Sequence, residues 1–264
     1  MRDGTVLKVD LRSRMERHVY WRGEFDPTSV GLFEKLLVPG ATVIDIGASI
    51  GFFSVPLARA VARQQGHVYA IEPVPANFER LCENLRLNGL EGVCTPFHLA
   101  LGKARGIAKL TMDDDVHAVT GNAVAATIAM DTTLDFPIPE PWATNAPVFT
   151  DTLDDFADRL GPLDTVLVKM DVEGGEYEIL QSSTRFVARH QPIFYCELNY
   201  RRMRKVGWTV ATLNELISPW NYEMHHHDGR GLVAGCIGGP DTEDVFLLPR
   251  DQVESVRERP ARQP

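Results

Sequence analysis

The residues able to do chemistry in this chain stand at the ends of apolar runs, beside glycines. The first set, Asp45-Ile46-Gly47-Ala48-Ser49-Ile50-Gly51, closes a run that begins at Thr42. Gly47 permits a tight turn and lets a ligand approach with no side chain in the way. Gly51 opens a helix whose amides point at that ligand. A carboxylate at Asp45 suits a ligand with an ammonium group and repels a pyrophosphate. The spacing is G-x-x-x-G, not the G-x-G-x-x-G of dinucleotide sites; a strand-to-helix turn with no ligand has the same spacing. Glu72 follows the run His67–Ile71, where an acidic residue accepts hydrogen bonds from ribose hydroxyls. That placement speaks for an adenosine ligand without choosing among the enzymes that bind one.

Three further sets follow. In His98-Leu99-Ala100-Leu101-Gly102 the backbone near Ala100 is placed to contact an adenine ring, and His98 reads as a partly buried structural histidine. In Lys169-Met170-Asp171-Val172-Glu173-Gly174-Gly175-Glu176, a helix start accounts for Glu173 and Glu176 through the dipole. Asp171 ends the strand next to the first glycine turn and should face the cleft. In Glu197-Leu198-Asn199 the two polar residues, with Asp171, offer oxygen ligands suited to Mg²⁺, although hydrogen bonding or substrate contact is the plainer reading and no metal is assigned. His225-His226-His227 cannot all point one way on a strand or helix, so a polar turn before Asp228-Gly229 is expected.

These sets need strands to carry them. Thr42–Ile46, His67–Ile71, 93–99, 165–170 and 193–198 read as strands, with helices after Gly51, from Pro75 to Asn88-Gly89, from Gly174 to about His190, and over 210–217. Pro56 should cost the first of these helices a backbone bond. Strand and helix in alternation imply an α/β fold with a mostly parallel sheet and helices on both faces, whose ligands sit at the carboxyl ends of the strands. Residues 1–40 are expected to form an N-terminal cap, with a half-buried strand over 5–11 and a helix entered at Asp26-Pro27. Residues 41–249 form the main domain. Within it 103–112 reads as an edge strand, and 113–150, with four prolines, as a lid insertion. Segments near Tyr222 and over 245–248 close the sheet, and 250–264 reads as a frayed tail.

Composition narrows the classes. Thirty-six acidic against 27 basic residues argue against a nucleic-acid surface. The short basic run Arg201, Arg202, Arg204 and Lys205 reads as a solvated turn. Cys82, Cys94, Cys196 and Cys236 form no C-x-x-C pair, and Cys94 and Cys196 lie in apolar runs. No run reaches the ~20 apolar residues of a membrane span. A cytoplasmic protein that binds no membrane is expected, with a homo-oligomer left open.

The segments VIDIGASIGFFS, YAIEPVPANFERL, HLALG, TLDDF and VKMDVEGGEYEIL together resemble the FkbM-type methyltransferases over roughly residues 17–200. The resemblance implies a Rossmann-like class I methyltransferase fold, S-adenosylmethionine as donor, and usually O-methylation of a small-molecule hydroxyl on a sugar, polyketide or other secondary metabolite. It places Asp45, Gly47, Ala48, Ser49 and Gly51 at the methionine portion, Glu72 at the ribose, and the Leu99-Ala100 region at the adenine, and Phe52 and Val74 are expected as further cofactor contacts. It supplies no catalytic base. The residues themselves nominate Asp171 or Glu173 to orient the hydroxyl and take its proton, with Glu197 and Asn199 as substrate contacts. The competing readings are an NAD-dependent oxidoreductase on a similar fold and a nucleic-acid methyltransferase; the acidic charge and the absence of an Asn-Pro-Pro-aromatic motif oppose the second.

Overall fold

The computed structural model describes residues 1–112, 126–129, 147–229, 231–239 and 242–258. In chain order the elements are α1 (Arg14–Arg22), α2 (Pro27–Leu36), β1 (Thr42–Ile46), α3 (Ser54–Ala62), β2 (His67–Ile71), α4 (Pro75–Leu87), β3 (Cys94–Phe97), β4 (Ala100–Leu101), β5 (Gly106–Met112), β6 (Ala126–Ala129) and β7 (Pro147–Asp151). They continue with α5 (Leu153–Leu160), β8 (Val166–Met170), α6 (Glu176–Gln181), α7 (Thr184–His190), β9 (Ile193–Asn199), α8 (Tyr200–Val206), α9 (Val210–Ile217), β10 (Tyr222–His227), β11 (Leu232–Ala234), β12 (Thr242–Pro249) and α10 (Val253–Arg257).

The main sheet has eight strands in the order β11-β10-β12-β9-β8-β1-β2-β3. The β3-β2-β1-β8-β9 half is parallel, while β12 runs antiparallel to both β9 and β10. From β1 the chain steps outward to β3 and then returns to β8 on the other flank of β1. The carboxyl ends of β1 and β8 therefore border the crevice where such sheets bind ligands. Alternate side chains of each strand serve opposite layers. Ile44, Ile46, Val168 and Met170 pack under α5, α6 and α7, while Val43, Leu167 and Tyr195 pack with α2, α3 and α4. Asp45 and Lys169, charged residues within these apolar strands, are register partners on the second face. Sheet and helices are those of the expected class I methyltransferase fold.

Several expectations need correction. Residues 5–11 form no strand. Their alternation is real, but their backbone bonds go to side chains, among them those of α4 and its C-cap: Asn88 Oδ1 accepts from Val6 N at 2.9 Å, and Asn84 Oδ1 accepts from Lys8 N at 2.7 Å. Pro56 falls in the first turn of α3, where the helix requires no N–H. The helix expected from Gly174 to His190 is two helices, parted at Ser182-Ser183. Strand β5 is not an edge. It lies between β7 and β6 in a second sheet of order β4-β7-β5-β6. The basic run is not a turn but the helix α8, capped by Asn199. His225 to His227 lie on β10. The segment after 250 carries α10, which buries Val253 and Val256. Of the proposed lid, only β6 and β7 fall within the described residues.

Candidate active site

The chain leaves β1 through a turn that only glycine allows. Gly47 has φ +81°, and a Cβ there would stand 1.9 Å from the Asp171 carbonyl oxygen. The missing side chain thus lets β1 and the end of β8 close on each other; the space is filled by backbone rather than kept for a ligand. Asp171 N donates to Ile46 O at 3.1 Å, which ties the same two ends. Gly51, at φ +96°, packs against Val55 and Leu81.

A cleft of about 1070 Å³, its mouth included, opens at this point. Its floor is Gly47, Ala48 and Ser49, and Phe52, Val74, Leu99 and Ala100 form apolar walls. Met15 and Phe25 reach it from the N-terminal segment, with Phe25 stacked on Phe52 at 4.6 Å between ring centres.

Glu72 lies on one side of the cleft, nearly buried. Its Oε2 accepts from Ser49 N at 2.7 Å and its Oε1 from Val74 N at 2.9 Å. Ser49 adopts φ +51° to make that bond. Burial pushes the Glu72 carboxyl up to about 7, against the pull of these two amides. The carboxylate is held rigid by backbone; Oε1 takes a second donor from Asn77 Nδ2 at 3.5 Å, while Oε2 keeps capacity for a further donor.

Charge fills the other side. Asp171, Glu173, Glu197 and Lys169 all line the cleft. Burial opposes the Lys169 charge, but Asp45 and Asp171 outweigh it and hold the ammonium protonated. Burial, and then the hydrogen-bonded Asp171, drive the Glu197 carboxyl well above the carboxylate range. Glu173 stands at φ +58°, ion-paired to Arg202 Nε at 2.9 Å and bonded by Asn199 Nδ2 at 3.4 Å. Burial raises its carboxyl too, with Asp171 adding to the effect. Behind the loop Glu176 accepts from Val172 N and Gly174 N, and Trp208 Nε1 donates to Gly174 O at 3.0 Å. Glu176 is therefore a brace for the loop rather than a dipole charge alone.

The fold brings most of the nominated residues together: Gly47, Ala48, Ser49, Phe52, Glu72, Val74, Ala100, Asp171, Glu173 and Glu197 meet on one cleft. Three others stand elsewhere. Asp45 is fully buried, with Oδ2 accepting from Ser54 Oγ at 2.6 Å, so it supports the turn from behind. Gly51 serves helix packing. Asn199 spends its Oδ1 on capping α8, accepting from Arg202 N at 3.1 Å, so the oxygen triad considered for Mg²⁺ does not assemble. Among the described residues no group of three or more His, Cys, Asp or Glu is placed to hold a metal. His98 is exposed and stacked on Phe78, not buried. Sequence reasoning missed Lys169; its signal was a lone cation within the apolar strand VLVKM, in register with another lone charge, Asp45.

An apolar slot with one anchored carboxylate thus lies beside a glycine turn at the sheet's reversal. The strand order and this site define a class I S-adenosylmethionine-binding methyltransferase fold. The methyltransferase FkbM domain matches residues 45–228, and the chain belongs to that family. S-adenosylmethionine is accordingly its cofactor. A solved FkbM methyltransferase from Methylobacillus flagellatus KT is similar in fold, with TM-score 0.50 and 17% identity over 80% of this chain and 44% of its own. Over 51 residues the chain is 45% identical to the tRNA(Phe) (4-demethylwyosine(37)-C(7)) aminocarboxypropyltransferase of Methanocaldococcus jannaschii, which is 19% of this chain and 20% of that protein. The chain thus spans less than half the length of either relative. Among the described residues no helix is long and apolar enough to cross a membrane.

Proposed function

We propose that the protein transfers a methyl group from S-adenosylmethionine to a hydroxyl of a small molecule, a sugar, polyketide or other secondary metabolite. When bound, the cofactor supplies a methyl on a sulfonium, an electrophile already activated. What is left to the chain is alignment and the fate of the hydroxyl proton. Alignment alone is worth ~7–11 kcal/mol in well-oriented pairs. Ala48, Phe52, Val74 and Ala100 hold the donor and exclude water, and Glu72 fixes its ribose. Residues 1–40 act as a cap over this end, contributing Met15 and Phe25.

Asp171 receives the proton. The observation that carries this role is its place on the cleft, its side chain 36% exposed, beside Lys169 Nζ at 3.5 Å and hydrogen-bonded to Glu197. Asp171 keeps the proton taken from the acceptor, and the hydrogen bond to Glu197 holds its carboxyl in place. Glu173 suits the role less well, because Arg202 and Asn199 engage it; it shapes the acceptor side of the loop. Substituting Asp171→Asn should lower transfer of labelled methyl by roughly 10²–10⁴-fold across a panel of hydroxylated metabolites. Affinity for S-adenosylhomocysteine should stay within about threefold. Near-normal turnover in this variant would remove Asp171 from the role.

A further inference from the structure

Among the described residues, Lys169 is the lysine or arginine that is buried. Its ammonium has three donors, and three acceptors surround it. Gly47 O accepts at 3.2 Å, Asp45 Oδ1 stands at 3.4 Å and Asp171 Oδ2 at 3.5 Å. The ring of Phe53, which precedes α3, lies 5.2 Å from Nζ. We propose that Lys169 is a positioning residue of the transfer site: one ammonium joins the cofactor turn at Gly47 to the Asp171–Glu197 carboxyl pair, with Asp45 as its buried counter-charge. This rests on the reading of Asp171 as proton acceptor.

A purely structural pair between Lys169 and Asp45 would account for one of the three contacts. The other two lie at the cleft, one on the backbone that carries the cofactor turn and one on the carboxylate facing the acceptor. Gly47 and Asp171 stand just past the ends of the two paired strands, two residues after Asp45 and Lys169, and meet there backbone to backbone. Lys169 spans that step. Its Nζ fixes the distance between donor site and base, which matters because misplacement by about 1 Å costs roughly 10²-fold in well-aligned reactions. Its charge also bears on the Glu197 carboxyl. The groups that bear on the pair are Lys169 on β8, Glu173 in the following loop, Glu176 on α6 and Asp244 on β12, with Asp45 on β1 acting through Lys169. Arg202 from α8 is the other cation nearby, and it is engaged with Glu173.

The two charges predict opposite responses. Removing the ammonium should make the pair hold its proton more tightly. Removing Asp45 frees the ammonium for the pair and removes an anion, so the proton should be held less tightly. The test follows the Glu197 carboxyl carbon by ¹³C NMR against pH in the full chain, assigned by its loss in Glu197→Gln. In Lys169→Met the titration midpoint should rise by about one pH unit, and in Asp45→Asn it should fall. Lys169→Arg should keep most of the wild-type midpoint. If bare Asp45 prevents Lys169→Met from folding, Asp45→Asn/Lys169→Met against Asp45→Asn makes the same comparison with a neutral interior. Calorimetry with S-adenosylhomocysteine should show about tenfold weaker binding in the Met variant, through loss of the Gly47 contact. Midpoints that do not move, or that move in one direction for both charges, would overturn the proposal. Opposite shifts together with normal turnover in Asp171→Asn would keep Lys169 as the link and discard Asp171 as the base.

Discussion

The two sides of the cleft solve different problems. On the β2 side one carboxylate, Glu72, is fixed by two backbone amides among apolar walls. On the β8 and β9 side, carboxylates crowd one ammonium, and each one's proton affinity depends on its neighbours. The first arrangement is rigid and suits the proposed role of holding a donor of fixed shape. The second is coupled and suits the proposed role of taking up a proton. Damage to the first should therefore appear in affinity, and damage to the second in turnover and pH dependence.

The glycine turn belongs to both sides, so breaking it should have the largest effect. In Gly47→Ala the new Cβ would meet the Asp171 carbonyl at 1.9 Å, in a left-handed conformation as well. A loss of about 3 kcal/mol or more in denaturant unfolding is expected, with binding of S-adenosylhomocysteine abolished. A stable variant that still binds would mean the two strand ends can separate without cost.

Glu72→Gln sharpens the comparison from the donor side. Affinity for S-adenosylhomocysteine should fall about 10- to 100-fold, since hydrogen bonds to a charged group are worth roughly 1.5–3 kcal/mol. In the wild type, affinity should climb as pH passes about 7, where the buried Glu72 ionises. An affinity flat in pH and unchanged in the Gln variant would place the ribose elsewhere.

The smallest effect on the cleft itself concerns the brace, which acts on stability rather than on binding or turnover. Burial raises the Glu176 carboxyl from 4.5 to about 7. A carboxyl raised in the folded state stabilises fully below its unfolded value, and that contribution fades as pH climbs through the folded value. The apoprotein should lose up to about 1.4 kcal/mol per pH unit from this group between about 4.5 and 7. Glu176→Gln, measured by denaturant unfolding across that range, should flatten the slope by that share. An unchanged slope would show that Glu176 is ionised throughout.

Much of this was legible before the fold was known. Strands β1 and β2 were readable to the residue because each is a short apolar run ended by a glycine or an acid. Asp171, Glu72 and Glu197 were legible because a parallel sheet gathers whatever follows its strands. The role of Gly47 was not, since a sequence cannot say whether a missing side chain leaves room for a ligand or for the next strand's backbone. Lys169 escaped because its meaning lies in register with Asp45, more than a hundred positions away. Helices α1 and α8 hid behind their charges: RMERHVYWR and YRRMRKV bury only two residues each and depend on the caps Ser13 and Asn199. The second sheet was illegible because its strands pair across a long intervening segment.

The central claim is that this cleft holds S-adenosylmethionine through a backbone turn and one carboxylate. Titration calorimetry of the full chain with S-adenosylhomocysteine and, separately, with NAD tests it most directly. Saturable one-to-one binding of S-adenosylhomocysteine, weakened by Glu72→Gln, with no heat from NAD, is the expected result. Binding of NAD alone would contradict the account.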